Sequence, residues 1–165
     1  SHADVEADYQ PAAVDLMVAG STSIELNLLS LEYNWGNWQL SSEHQHRSIT
    51  YHDILSEGFN YTLKSDSYYV QASYRFNQRW QWLLRYDRLY TNTEDKAGED
   101  FTIASDAYAK DWTTGLRFQL NSQWLISAEL HQINGTAWLP RIENPITSEV
   151  RSDWLLFTAQ VSWRF

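Results

Sequence analysis

The chain closes on a stretch in which hydrophobic and polar side chains alternate one by one. From Asp153 to Phe165, the side chains of Leu155, Phe157, Ala159, Val161, Trp163 and Phe165 fall on one face, and Thr158, Gln160, Ser162 and Arg164 on the other. A period of two marks a β-strand whose faces meet unlike surroundings. The same alternation predicts a strand through Leu29, Leu31, Tyr33 and Trp35, opposed by Ser30, Glu32 and Asn34. A second follows through Trp38 and Leu40, opposed by Gln39, Ser41 and Glu43, and fades after Leu40. Tyr68, Val70, Ala72, Tyr74 and Phe76 then oppose Gln71, Ser73 and Arg75, and Trp80, Trp82, Leu84 and Tyr86 oppose Gln81, Arg85 and Asp87. A third pair sets Trp112, Leu116, Phe118 and Leu120 against Asp111, Arg117 and Gln119, and Trp124, Ile126, Ala128 and Leu130 against Ser127, Glu129 and His131.

Short turns are expected at Gly36-Asn37, Asn77-Gln78 and Asn121-Ser122, and longer polar loops over Gln45 to Ser67, Thr91 to Asp106 and Gly135 to Ser152. Tight turns alternating with long loops predict an all-β fold: an antiparallel up-and-down meander forming a transmembrane β-barrel with about eight strands in this chain. It is read as one domain over 1–165, with 1–22 an extracellular segment or irregular first strand and 24–165 the barrel strands. Parity asks for an upward strand before Leu29. Either it lies in Ala12 to Gly20 and turns tightly at Ser21 to Ser23, giving a closed eight-stranded barrel, or the chain is the C-terminal portion of a larger one.

Composition narrows the classes. There are 9 Trp, 10 Tyr and 6 Phe in 165 residues, and Trp35, Trp38, Phe76, Trp80, Phe118, Trp124, Trp163 and Phe165 gather at the short-turn ends. Such a row suits the aromatic belt of a membrane interface, while rings bracing the floor of a soluble barrel are the bland alternative. The mean hydropathy is -0.52, and no run approaches the roughly 18 apolar residues of a spanning helix. A helical membrane protein is thereby excluded, whereas a barrel strand hides its apolar half in alternation. The absence of cysteine rules out disulfides and thiolate metal sites. A net charge of -9 argues against nucleic-acid binding, which needs a basic surface.

The charged residues on the polar side of the alternation are Glu32, Glu43, Asp87, Asp111 and Glu129 against Arg47, Arg75, Arg85, Arg117 and Arg164, with His131 beside Glu129. They line a wet pore or form a salt-bridged plug, because charge inside a barrel is tolerated when paired. Further acids crowd at Asp4, Glu6 and Asp8 and at Glu94, Asp95, Glu99 and Asp100 around Gly98. Solvated loops account for them, and a pore mouth that concentrates cations is the sharper reading. No spacing matches a calcium loop, so no metal site and no cofactor are expected. His46 and Ser48, two apart on one strand face, are faintly like the pair of lipid A deacylases, but a nucleophile also needs an orienting acid, and no catalytic residue is assigned.

The closing strand, W-L-L-F-T-A-Q-V-S-W-R-F, resembles the last strand of Gram-negative outer-membrane β-barrels, which typically end on Phe or Trp. Together with A-Y-A-K-D-W-T-T-G-L-R-F (Ala107 to Phe118) and W-L-I-S-A-E-L-H-Q-I-N-G-T-A-W-L (Trp124 to Leu139), it is similar to the C-terminal strands of porin-like proteins, over residues 24–165. The resemblance implies passive diffusion of small hydrophilic solutes across the outer membrane, with no cofactor and no enzyme activity. It implies as partners the outer-membrane lipid and lipopolysaccharide, the barrel assembly machinery acting on the C-terminal strand, and a further copy of the chain in a homo-oligomer. The rivals are a small closed OmpA-like barrel acting as an envelope anchor or adhesin through its loops, a lipid-modifying barrel and a soluble calyx.

Overall fold

The computed structural model describes residues 1–9, 20–53, 56, 58–140, 143–144 and 150–165. Eight strands follow one another as β1 (His2–Tyr9), β2 (Gly20–Trp35), β3 (Trp38–His52), β4 (Asn60–Arg75), β5 (Trp80–Tyr90), β6 (Tyr108–Gln119), β7 (Trp124–Gly135) and β8 (Asp153–Trp163). Each pairs antiparallel with its neighbours in sequence, making one sheet in the order β1 to β8. Helix among the described residues is limited to one 3₁₀ turn, Ala104–Ala107. Among the described residues the outer edges of β1 and β8 carry no partner strand, so the sheet is open.

The short turns form where the sequence predicts them, each by its own chemistry. Trp35 pairs directly with Trp38, which leaves a two-residue connection in which Gly36 takes φ +56°. In the β4–β5 turn the Asn77 side-chain oxygen accepts the N–H groups of Arg79 and Trp80 at 2.8 and 3.0 Å. Asn121 repeats this between β6 and β7 with Gln123 and Trp124, both at 2.9 Å. An asparagine that hydrogen-bonds backbone two and three residues on replaces the missing ladder partners.

At the far end of the sheet two expectations are corrected. The stretch from Gln45 to Ser67 is no loop: β3 continues to His52 and β4 begins at Asn60. The tight turn expected at Ser21 to Ser23 lies inside β2, paired with His52, Tyr51 and Thr50. The strand expected over Ala12 to Gly20 falls outside the described residues except for Gly20, which opens β2, and a regular strand instead occupies His2–Tyr9.

The reason for the first error is a change of face. Successive partners across the ladders place Leu29, Leu31, Tyr33, Trp35, Leu40, Val70, Leu84, Leu116, Phe157 and Val161 on one side of the sheet, and all are exposed. We call this side outer. Every buried side chain in β4 to β7, namely Ser65, Ser73, Asp87, Ala109, Asp111, Thr113 and Ile133, lies on the opposite, inner side. Farther from the short turns the assignment reverses. Ile24, Leu26 and Leu28 of β2, Ile49 and Tyr51 of β3, and Tyr61 and Leu63 of β4 point inward, while Glu25, Asn27, His44, His46, Ser48, Thr50, Thr62 and Lys64 point outward. The reversal runs along one level, through the partners Leu28, Gln45, Ser67 and Leu89. Near that level both faces of β3 are polar, and the period of two that marks a strand in sequence disappears.

The β7–β8 connection opens at a glycine that nothing else can replace. Gly135 has φ +105°, and a Cβ there would lie 2.1 Å from the carbonyl oxygen of Tyr108. Its N–H is held by the Ser152 carbonyl at 2.7 Å, and its carbonyl accepts the Trp154 indole N–H at 3.1 Å. Gly135→Ala is expected to cost about 1–3 kcal/mol, from backbone strain plus the lost approach to β6. Gly36→Ala, at a positive φ but with nothing within 4 Å, should cost less. Urea unfolding midpoints of the two variants check this order.

Candidate functional site

The inner face collects the charged residues singled out above. Glu32 on β2, Glu43 and Arg47 on β3, Arg75 on β4, Arg85 and Asp87 on β5, Asp111 and Arg117 on β6, and Glu129 and His131 on β7 all take inner positions in the register, and Arg164 follows β8 in the same alternation. The strands bring part of this set together. Arg85 grips Asp87 with two hydrogen bonds, Nε at 2.6 Å and Nη2 at 2.7 Å. Asp111, 4% exposed, accepts the Thr113 hydroxyl at 3.0 Å and the His131 ring Nδ1 at 2.7 Å, while His131 Nε2 lies 3.5 Å from Glu129. Three other members are met by neutral groups: Ser30 donates to Glu43, Arg47 Nε donates to Ser65, and Asn34 donates to Glu32. The inner face thus mixes ion pairs with neutral hydrogen bonds, and the second carboxylate oxygen of Asp111, Oδ1, is buried without a partner among the described residues.

Space beside this network is limited. Gly115 faces inward between β5 and β7, and a Cβ there would meet Glu129 Cγ at 2.8 Å and Leu83 Cγ at 3.3 Å. A concavity of about 340 Å³ remains toward the far end, bounded by Glu43, Arg47, Ser65 and Asp87 and roofed by Trp138 of the β7–β8 loop. At the other end Arg75, Arg117 and Gln119 border a smaller hollow of about 160 Å³. Among the described residues, no group of three or more His, Asp or Glu is placed to hold a metal ion.

On the outer face the rings at the short-turn rim form contacts from strand to strand. Trp80 lies 4.4 Å from Phe118, Trp124 6.1 Å from Trp163, and Trp163 5.4 Å from Phe165; Tyr74 bridges Trp38 at 4.7 Å and Phe76 at 5.2 Å. Trp35 stands directly opposite Trp38. A second row, which reading strand by strand missed, closes the other side of the apolar stretch: Tyr68, Tyr86 and Trp112, with centroids 6.0 and 4.7 Å apart. The signal was present at Tyr86 and Trp112, but only the register shows that they are neighbours.

His46 and Ser48 share the outer face, and no hydrogen bond joins them among the described residues. His44 instead takes Asp66 at 2.7 Å, with His46 at 3.7 Å from the same oxygen. Of the acids in the β5–β6 loop, Asp95 serves the loop's own backbone and Glu94 reaches Lys64 at 3.4 Å. Asp95 receives the N–H groups of Gly98, Glu99 and Asp100 at 2.8, 2.9 and 2.9 Å, and Gly98 takes φ +78° against the carbonyl of Ala104. No protein-family model matches the chain, and no curated protein and no solved structure matches it.

These backbone bonds, that from Asp100 foremost, hold the Asp95 carboxyl below the usual carboxylate range. A carboxyl whose pKa is lower in the folded loop stabilises it at pH values above the ordinary carboxylate range, and the contribution is lost as pH falls through the folded value. Amide-exchange protection of residues 98–100, corrected for intrinsic rates, should therefore fall on acidification before that of β5 and β6. In Asp95→Asn the protection should be lower at neutral pH and lose its pH dependence.

Proposed function

We propose that this chain is an outer-membrane β-barrel protein whose outer face lies in lipid and whose inner face forms a polar, hydrogen-bonded lumen. The observation that carries the reading is the inversion of the usual protein plan. Leu29 and Phe157 are 71% and 67% exposed, whereas Asp87 and Asp111 are 7% and 4% exposed. Each large apolar side chain left in water forgoes roughly 1.5–3 kcal/mol of burial, and a continuous apolar surface of this extent needs a cover. Hydrocarbon supplies one without a partner protein. From Leu155 to Phe165 the alternation extends roughly 33 Å at about 3.3 Å per residue, which rises about 25 Å at a tilt of about 40°, the height of a barrel's apolar band. The rim of Trp35, Trp38, Phe76, Trp80, Phe118, Trp124, Trp163 and Phe165 and the row of Tyr68, Tyr86 and Trp112 bound that band on both sides, as interfacial girdles do.

In hydrocarbon an open sheet edge is costly, because its N–H and C=O groups find no water. The edge strands β1 and β8 run in opposite senses, so closure pairs them antiparallel. They are also staggered: β1 lies beside Gly20–Asn27, while Asp153 at the head of β8 is level with Leu29 through His44, Tyr68, Arg88, Lys110 and Asn134. Tilted strands closing on themselves require such a stagger. An eight-stranded barrel has an interior that side chains just fill, which favours a plugged envelope protein presenting its loops and the far halves of β1 to β4 outside. The passage reading, diffusion of small hydrophilic solutes, draws on the concavity of about 340 Å³ beside Glu43 and Arg47.

Refolding into phosphatidylcholine vesicles tests the membrane reading: the wild-type chain should insert, resist added protease over its strands, and run with heat-dependent mobility in electrophoresis. A chain that stays in the aqueous phase, folded, would refute it. Planar bilayers then separate the lumen states, a silent folded protein supporting the plug and stepwise currents the pore.

A further inference from the structure

The outer face just beyond the second aromatic row carries a cluster of cations. All the lysines of the protein, Lys64, Lys96 and Lys110, lie there with Arg88, although the net charge is -9. Arg88 and Lys110 are direct cross-strand partners, one side-chain row beyond the partners Tyr86 and Trp112. Three of these four cations rest on rings. The Arg88 guanidinium sits 4.4 Å from the centre of Tyr68 and 4.8 Å from Tyr90, Lys96 5.4 Å from Tyr90, and Lys110 5.0 Å from Tyr108. Lys64 alone has an acid, Glu94 at 3.4 Å. Among the described residues, no carboxylate comes within ion-pair reach of Arg88, Lys96 or Lys110, and Arg88 Nε is buried with no hydrogen-bond partner. The acid on the adjoining row, Asp66, is taken by His44.

Like charges directly opposite on neighbouring strands repel, so a pair such as Arg88 and Lys110 without a carboxylate between them lacks a counter-anion. The tyrosines engage the cations by their faces and supply no counter-charge, and Lys96, in the loop, is exposed to whatever lies above the apolar band. With the outer face in lipid, that level is occupied by headgroups. We propose that Arg88, Lys96 and Lys110, on their platform of Tyr68, Tyr90 and Tyr108, hold the phosphate of an anionic outer-leaflet lipid. The site rests on the membrane reading above and adds to it a partner of stated chemistry. A lipid-borne phosphate fits better than a free one, because its acyl chains lie against Tyr86 and Trp112 while its phosphate reaches the cation row.

The test uses the full chain refolded in neutral maltoside micelles, with bisphosphorylated lipid A and its dephosphorylated form as probes and retention read by native mass spectrometry. The phosphorylated lipid should be retained about tenfold or more over the other. Lys96→Gln/Lys110→Gln should abolish that preference, the two cations together being worth about 25-fold at roughly fivefold each near an anionic surface. Arg79→Gln, which removes a charge at the short-turn rim, should leave it unchanged. Lys96→Gln alone, on an exposed loop side chain, keeps the test decisive if the double variant misfolds, with a loss of about fivefold expected. Millimolar inorganic phosphate should fail to displace the lipid. Equal retention of the two lipids, indifference to the lysine substitutions, an equal loss in Arg79→Gln, or displacement by inorganic phosphate would each overturn the site. A chain that inserts into phosphatidylcholine vesicles yet shows no such preference removes this site alone, whereas failure to insert removes the membrane reading and the site together.

Discussion

Everything in this sheet depends on which way its alternate side chains point. A strand has two faces and no choice about alternation, so a sheet that presents Leu, Phe and Trp on one face must present the intervening residues on the other. In a water-soluble β protein the apolar face is sheltered and the polar face wet. Here Leu84, Leu116, Phe157 and Val161 are exposed, while Asp87, Asp111 and Thr113 are buried. The backbone ladder is indifferent to this reversal, since it is satisfied strand to strand in either case. What differs is the medium that the apolar face requires.

The change of face at Leu28 and Leu29 adds a second boundary. Toward the short turns the outer side is apolar; beyond the level of Leu28, Gln45 and Ser67 it is polar, and Ile24, Leu26, Ile49 and Leu63 turn inward. A sheet immersed in one medium gains nothing from exchanging its faces partway along three strands. One that leaves hydrocarbon and enters water must do so, because the outer face goes from apolar to aqueous contact while the inside can then be drier. On the proposed membrane reading the tyrosines, Trp112 and the cations beside them stand at that crossing, where amphipathic rings and basic groups are at their most favourable. On the inner face Arg85 and Asp87 satisfy one another locally, and Asp111 is met through one oxygen by Thr113 and His131, which is how polar groups survive burial.

The sequence made most of the meander legible, and where it failed the cause is physical. Gly36, Asn77 and Asn121 announce their turns because each does a backbone task that other residues do poorly. Strands toward the short turns alternate strongly, and the register puts their charged and imidazole-bearing positions on one face, as the alternation predicts. β3 from Gln45 onward reads as loop because both its faces are polar near the change of side, and Ser21 to Ser23 read as a turn because small polar residues suit a turn and an exposed strand face equally well. The pairing of the inner charges was only half foreseen. Arg85 and Asp87 meet, but Arg47 and Glu43 choose serines, since partner choice depends on register that no single strand reveals. The cluster of Arg88, Lys96 and Lys110 was invisible for the same reason, its members being spread over two strands and a loop.

Site-directed nitroxide labels in phosphatidylcholine vesicles address the orientation of the faces directly. Labels at Leu31, Leu84, Leu116 and Phe157 should collide more often with oxygen than with a water-soluble nickel chelate, while labels at Ser48 and Thr50, on the same face beyond the change of side, should favour the chelate. Labels at Leu84 and Phe157 that prefer the chelate, in protein shown to be folded and vesicle-associated, would contradict an outer face in lipid.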